Sequence, residues 1–348
     1  MYKEAAKVLK DFEKRNGKNG IIYFYRASES LVNLDFENFE KNSISGINEK
    51  NSDIEEKVKY LTDFFDGYFE LHNDTIMYNY GKSYNNILEY ARNEYPENFN
   101  ICLLYSEWLR AYKDDNIAYI NELKHILSFN NQSNELYKNI VYHYISENKL
   151  DSAIYYSNVA INYFPDEAIY YYPTTFHYIL KDDYKSALKY AERGVEYVQK
   201  LSNLHLLFLE ILGECYYKTG DKNSAYNTFD YLLKIDPSNV SVLNNYAYYL
   251  SLDELNLSRA KQMSYKTIMV EPKNPVYLDT YAWILYKLGE YNDAEKYMKK
   301  AIENINDDSD KITYYEHYYE ILIANNMKEL ADEYKNKLEE LKVENSSK

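Results

Sequence analysis

The stretch Leu212 to Pro237, LGECYYKTGDKNSAYNTFDYLLKIDP, decides how the rest of the chain is read. Its punctuation is Leu212-Gly213, Tyr216, Gly220, Ala225, Phe229 and Pro237. A small residue at 213 and another at 225 allow two helices to approach where they cross, and Gly220 supplies the turn between them. Pro237 stops the second helix, because proline has no amide hydrogen and clashes with the preceding turn. The stretch therefore reads as one antiparallel helix–turn–helix unit.

Stepping outward from Ala225 by roughly 34 residues finds further small residues at Ala118, Ala153, Ala187, Ala260, Ala294 and Ala331. The intervals are 35, 34, 38, 35, 34 and 37 residues, so one period holds with small insertions. Twelve residues beyond three of these alanines stand Pro165, Pro237 and Pro272, in the same stopping role. Ala247 and Ala282 take the place on the first helix that Gly213 takes in the opening unit.

Period, small positions and terminal proline together resemble the tetratricopeptide repeat (TPR), a helix pair of about 34 residues. The resemblance covers Asn100 to Leu341, roughly two thirds of the chain. It implies an all-α fold, a TPR-like right-handed α-solenoid of stacked antiparallel helix pairs, each burying its apolar face on its neighbours. Seven such repeats are expected over 97–341, after a degenerate helical repeat at 54–96 with a lengthened turn. Pro173, inside what should be a first helix, predicts a late start or a kink there. Residues 1–53 read as N-terminal helices, the first over Met1 to Arg15, followed by a polar loop at 43–53 (SISGINEKNSD). Residues 342–348 read as a disordered tail. LNNYAYYLS, LDTYAWILYKLGEYNDA and YYEHYYEIL further resemble the C-terminal portion of uncharacterised TPR proteins of Bacteroidetes, many of which carry an export or lipoprotein signal.

Composition agrees with long helices and short turns: 46% of the 348 residues are hydrophobic, against nine Gly and six Pro. The abundance of tyrosine, 44 residues, reads as codon bias before chemistry. A formal charge of −15 argues against nucleic acid, which requires a basic stripe. Cys102 and Cys215 fall three repeats apart, beyond bridging reach, and read as two reduced apolar residues. No segment has the apolar length of a transmembrane span or signal peptide. As written the chain reads as cytoplasmic; as a fragment of a longer exported protein it would be periplasmic or lipoprotein-anchored.

Catalytic chemistry finds little support. The six histidines are scattered, without an HExxH motif or a Cys/His pair at metal-binding spacing, and no phosphate-binding glycine loop occurs. Acid pairs such as Asp114-Asp115 and Asp182-Asp183 fall in turns, where they read as helix caps. No catalytic residue, cofactor or metal is expected. A repeat array instead offers a concave groove lined by its first helices. By resemblance to the family, the partner-binding positions are Tyr142, Tyr172, Phe176, Glu210, Glu214, Tyr217, Asn244, Asn245, Tyr248, Asp279, Trp283 and Tyr286. Leu103, Glu107, Lys138, Asn139 and His317 fall on equivalent steps.

Rings anchor interfaces, amides pair with an extended peptide backbone, and carboxylates favour a neutral or basic partner over an acidic one. Acidic chaperone tails need a Lys/Asn/Arg cluster, of which only Lys138 and Asn139 are present. The alternative for each ring, Trp283 above all, is packing between adjacent first helices. The leading expectation is a non-catalytic protein- or peptide-binding scaffold. The alternatives are a structural component of an exported or envelope-associated assembly, and an enzyme with its site in the irregular N-terminal region.

Overall fold

A computed structural model gives the fold, and it describes residue 14 and residues 19–305 and 311–346. The helix expected over Met1 to Arg15 lies outside the described residues, apart from Lys14. Eighteen α-helices and no strand occur among the described residues. The chain divides into two compact units, Met1–Phe164 and Pro165–Lys348.

The first unit holds α1 (Gly20–Val32), α2 (Phe36–Asn48), α3 (Ile54–Phe69), α4 (Asp74–Glu94), α5 (Phe99–Ala111), α6 (Asn116–Phe129), α7 (Asn134–Ser146) and α8 (Leu150–Ile161). Its core runs from Phe24, Phe39 and Ile47 through Leu61, Tyr84 and Leu88 to Trp108. The degenerate repeat is α3 with α4, and its longer turn is residues 70–73. The polar loop is shorter than expected, because α2 continues to Asn48 and leaves only 49–53. Phe39, Ser43 and Ile47, one helical turn apart, all face inward with no exposure, so SISGI is a helix face and not a loop.

The second unit holds a 3-10 turn (Ala168–Tyr170), α9 (Tyr171–Leu180), α10 (Tyr184–Tyr197), α11 (Asn203–Thr219), α12 (Lys222–Ile235), α13 (Val240–Leu252), α14 (Leu257–Val270), α15 (Pro275–Lys287), α16 (Tyr291–Glu303), α17 (Lys311–Ala324) and α18 (Lys328–Ser346). Pro173 sits in the first turn of α9, where its missing amide hydrogen costs nothing, and the helix starts late as its sequence predicts. The expected tail from 342 instead continues α18 to Ser346.

From α5 to α18 the helices form seven antiparallel pairs, two in the first unit and five in the second. Each second helix starts in a similar way. A left-handed residue stands shortly before it: Asp114, Asn148, Asp182, Gly220, Glu254, Gly289 or Asn326. Only Gly220 and Gly289 do so without a Cβ, with φ of 96° and 77°. Asp115, Asp183 and Asp221 then cap their helices by accepting from the backbone N–H three residues on.

The amide four residues beyond the cap closes the first turn, and it belongs to Ala153, Ala187, Ala225, Ala260, Ala294 or Ala331, each fully buried. In α6 that place is taken by Tyr119, not by the expected Ala118, which is half-buried. The alanine periodicity is therefore one residue out of register there. On the first helices, Ala247 and Ala282 are fully buried, and a Cβ on Gly213 would lie 2.6 Å from the ring of Phe229. Glycine is required at 213 because the partner helix brings that ring against the backbone.

Several successive first helices touch each other. In the second unit α11 packs on α13, α13 on α15 and α15 on α17, and in the first unit α1 packs on α3 and α3 on α5. The second helices α6, α10, α12, α14 and α16 each pack between their own first helix and the next one. The first helices thus form a shared layer within each unit, and that layer carries the candidate positions.

Candidate partner-binding face

Eleven of the twelve expected residues belong to the second unit, on α9, α11, α13 and α15; Tyr142, 52% exposed, is on α7 of the first. Four of the eleven meet at one place. Asn244, Asn245 and Tyr248 from α13, and Asp279 from α15, line a cavity of about 210 Å³. Val276 and Thr280 of α15 and Thr313 and Tyr314 of α17 complete it. Successive first helices bring them together, since residues 244, 245 and 248 share one face of α13 and 276, 279 and 280 one face of α15.

The polar groups in this cavity are partly committed. Asp279 is buried, and its carboxylate oxygens stand 2.8 and 3.1 Å from Nδ1 of His317 on α17. Asn244 is also buried; its Nδ2 donates to Asn245 Oδ1 at 3.3 Å, while its own Oδ1 has no protein partner. Burial, with the nearby charge of Asp279, pushes the Tyr248 hydroxyl above its ordinary pKa, so it is a neutral donor at neutral pH.

Beside the cavity lies an aromatic ladder. Trp283 stacks on His317 with centroids 4.1 Å apart and on Tyr286 at 4.9 Å, and Lys287 Nζ stands 5.2 Å from the indole centroid. The indole N–H is buried without a protein acceptor. Trp283 is thus packed between the first helices α15 and α17.

Tyr217 does the same. Its ring stacks on Tyr249 at 4.0 Å and its hydroxyl donates to Asp253 at 3.0 Å, so both ends are used in packing. Tyr172 stacks on Phe176 at 6.2 Å and meets the edge of Phe208. Glu210 accepts a hydrogen bond from the Ser241 hydroxyl. Glu214 is half-buried, and that desolvation holds its carboxyl above the usual range despite Lys218 nearby. None of these five residues lines the cavity.

In the first unit, Leu103 and Glu107, also on expected inward steps, line a separate cavity of about 330 Å³ with Val58, Thr62, Phe65, Asp66, Asn100 and Leu104. The first helices α3 and α5 form it, so the hollow again follows the first-helix layer.

Sequence spacing concealed one cluster. Cys102 on α5 and Glu122 and His125 on α6 each bring a ligand atom within 4.8 Å of the others. Their spacings of 20 and three residues match no compact metal motif, and only the pairing of α5 with α6 shows that they converge. Cys102 and Cys215 are both free and buried. Among the described residues no helix is long and apolar enough to cross a membrane.

No protein-family model matches the chain. Over 145 residues it is 26% identical to TPR repeat-containing protein PA4667 of Pseudomonas aeruginosa. The match takes in 41% of this chain but only 24% of that relative, so the chain spans about a quarter of the relative's length. Among solved structures, PilF of Pseudomonas aeruginosa is 16% identical with a TM-score of 0.46, over 60% of this chain and 90% of that one. YrrB, described as a TPR protein with an unusual peptide-binding site, is 17% identical with a TM-score of 0.43, over 53% and 93%. MamA of Desulfovibrio magneticus RS-1 is 18% identical with a TM-score of 0.41, over 51% and 96%. The seven helix pairs and the relative in sequence make this an all-α chain with a TPR-like fold, similar to TPR repeat-containing proteins.

Proposed function

We propose that the chain is a non-catalytic scaffold that binds an extended segment of a protein partner on the first-helix layer of its second unit. The observation that carries this reading is the cavity of α13, α15 and α17. At about 210 Å³ it is smaller than the ~300–1,000 Å³ typical of small-molecule sites, and it suits a side chain of a bound peptide. Its lining of amides, hydroxyls and two tyrosine rings offers donors and acceptors to a peptide backbone and an apolar wall to the inserted group. Asp279 inside it, Glu210 and Glu214 on the neighbouring first helix, and the overall charge of −15 favour a neutral or basic segment over an acidic one.

The test is selection from a displayed library of random unstructured peptides, followed by titration of the selected peptides against the full chain. Selected sequences are expected to be neutral or basic. Asn245→Ala and Tyr248→Ala are expected to weaken their binding about tenfold or more, about 1.4 kcal/mol, without changing helicity. Selected peptides that bind both variants as tightly as the parent would remove this surface from consideration. Selection of acidic peptides would overturn the charge preference.

A further inference from the structure

We propose that Cys102, Glu122 and His125 form a binding site for one divalent cation of the zinc class, between α5 and α6 in the first unit. The three offer sulfur, oxygen and nitrogen, and each ligand atom lies within 4.8 Å of the other two. Around tetrahedral zinc, with bonds of about 2.0–2.3 Å, such donors stand about 3.5 Å apart. Closing the cluster takes a shift of roughly 1 Å, within the reach of side-chain rotation.

A fourth ligand stands at the same place. The Pro96 carbonyl oxygen is 3.2 Å from Cys102 Sγ and 2.6 Å from His125 Nε2, at present accepting from both. Glu122 and His125 are three residues apart on α6 and so project from one face of the helix. Cys102 sits in the first turn of α5, and Pro96 lies in the connection of residues 95–98 that leads into it.

The surroundings are those of a supported ligand set. Arg92 Nε and Nη2 bond both oxygens of Glu122, at 3.1 to 3.3 Å. A carboxylate has about four lone-pair directions, so Glu122 can keep Arg92 and still face a cation, with the guanidinium fixing its orientation. Glu122 also borders a polar cavity of about 300 Å³ shared with Glu89, Arg92, Asn93 and Tyr105, which gives an ion a route to that carboxylate.

Zinc fits this donor set better than magnesium or calcium, which take oxygen ligands and would gain nothing from a thiolate. On binding, the cation replaces the Cys102 thiol proton, which leaves to solvent. The Nε2 proton of His125 moves to Nδ1 through solvent, freeing the Nε2 lone pair. Thiolate and carboxylate then set two negative charges against the ion's two positive ones, Arg92 leaves the site with one net positive charge, and no electrons are transferred.

The experiment titrates Co²⁺ into the reduced full-length chain and reads the thiolate-to-cobalt charge-transfer absorption, then displaces cobalt with Zn²⁺. One equivalent is expected to saturate the band. Cys102→Ser is expected to abolish it, Cys215→Ser to leave it intact, and His125→Gln to weaken cobalt binding at least about tenfold. His125 is half-exposed, so His125→Gln keeps the test valid even if the buried Cys102→Ser misfolds, which circular dichroism would reveal. No charge-transfer band, a band lost in Cys215→Ser, or unchanged affinity in His125→Gln would overturn the proposal.

Discussion

Two residues of the second unit show how a local contact becomes a stability term. Gly213 faces the Phe229 ring so closely that a methyl group would sit 2.6 Å from it. Gly213→Ala therefore exchanges a helix-propensity gain of about 1 kcal/mol for overpacking of about 1–3 kcal/mol. The expected outcome is a net loss, read as a lower denaturation midpoint; a rise would mean that the Phe229 ring gives way freely. Asp253 ties three groups together, accepting from Tyr217 at 3.0 Å, from Lys222 at 2.5 Å and from Tyr226. Burial alone would raise its carboxyl, but the bonds from Lys222, Tyr226 and Tyr217 outweigh it and leave the pKa below the ordinary value. A carboxylate depressed by folding contributes fully above its unfolded value near 4, and that contribution fades as pH falls through the lower folded value. The stability gap between the parent chain and Asp253→Asn should thus be widest near neutral pH and shrink as pH falls below about 4. A gap independent of pH would show that the hydrogen bonds matter and the charge does not.

At the scale of the helix pair, the recurring device is a left-handed residue ahead of the second helix. Five of the seven junctions place a residue with a side chain there, and Glu254, with φ of 53°, lacks the local bonding that makes Asn and Asp tolerant. Glu254→Gly is expected to stabilise the chain by up to about 1 kcal/mol, measured by urea denaturation. It forfeits the Lys287 ion pair at 3.0 Å, but Glu254 is 65% exposed there, and such pairs are worth little. A destabilised variant would show that this pair holds the turn. These junctions also mark what was legible beforehand. Ala153, Ala187, Ala225, Ala260 and Ala294 announce themselves because a crossing tolerates only a small side chain, and Pro237 and Pro272 because proline must follow a helix. Where Tyr119 replaces alanine, the neighbouring Ala118 misleads by one residue, since a bulkier buried ring is invisible to a search for small ones. Ser43 to Asn48 looked like a loop because serine and glycine mark turns, yet they also pack where Phe24 lies against Gly46. Asn244, Asn245, Tyr248 and Asp279 were legible as a set through the repeat period. The His317 contact that commits Asp279 was not, for it depends on side-chain reach across 38 positions.

At the scale of the whole chain, each compact unit has a core of its own, one built around Trp108 and others on α12 to α18. In repeat arrays stability sums local and nearest-neighbour terms, so long arrays lose all-or-none unfolding. The chain supplies its own probes for this, because its two tryptophans, Trp108 and Trp283, fall one in each unit. Trp108 has no solvent exposure and lies among Phe65, Tyr68, Tyr84 and Tyr112, so its emission should shift strongly to the red on unfolding. Trp283 is half-buried on His317, and its signal should instead report the loss of that stack. Trp283→Phe leaves Trp108 as the sole probe of the first unit, and Trp108→Phe leaves Trp283 as that of the second. Each truncation can itself lower the stability of its own unit, so each variant is read only through the tryptophan in the other. The two urea midpoints are expected to differ, with far-UV circular dichroism of the parent chain spanning both transitions. Coincident midpoints, matched by a single circular-dichroism transition, would show instead that the two cores unfold as one.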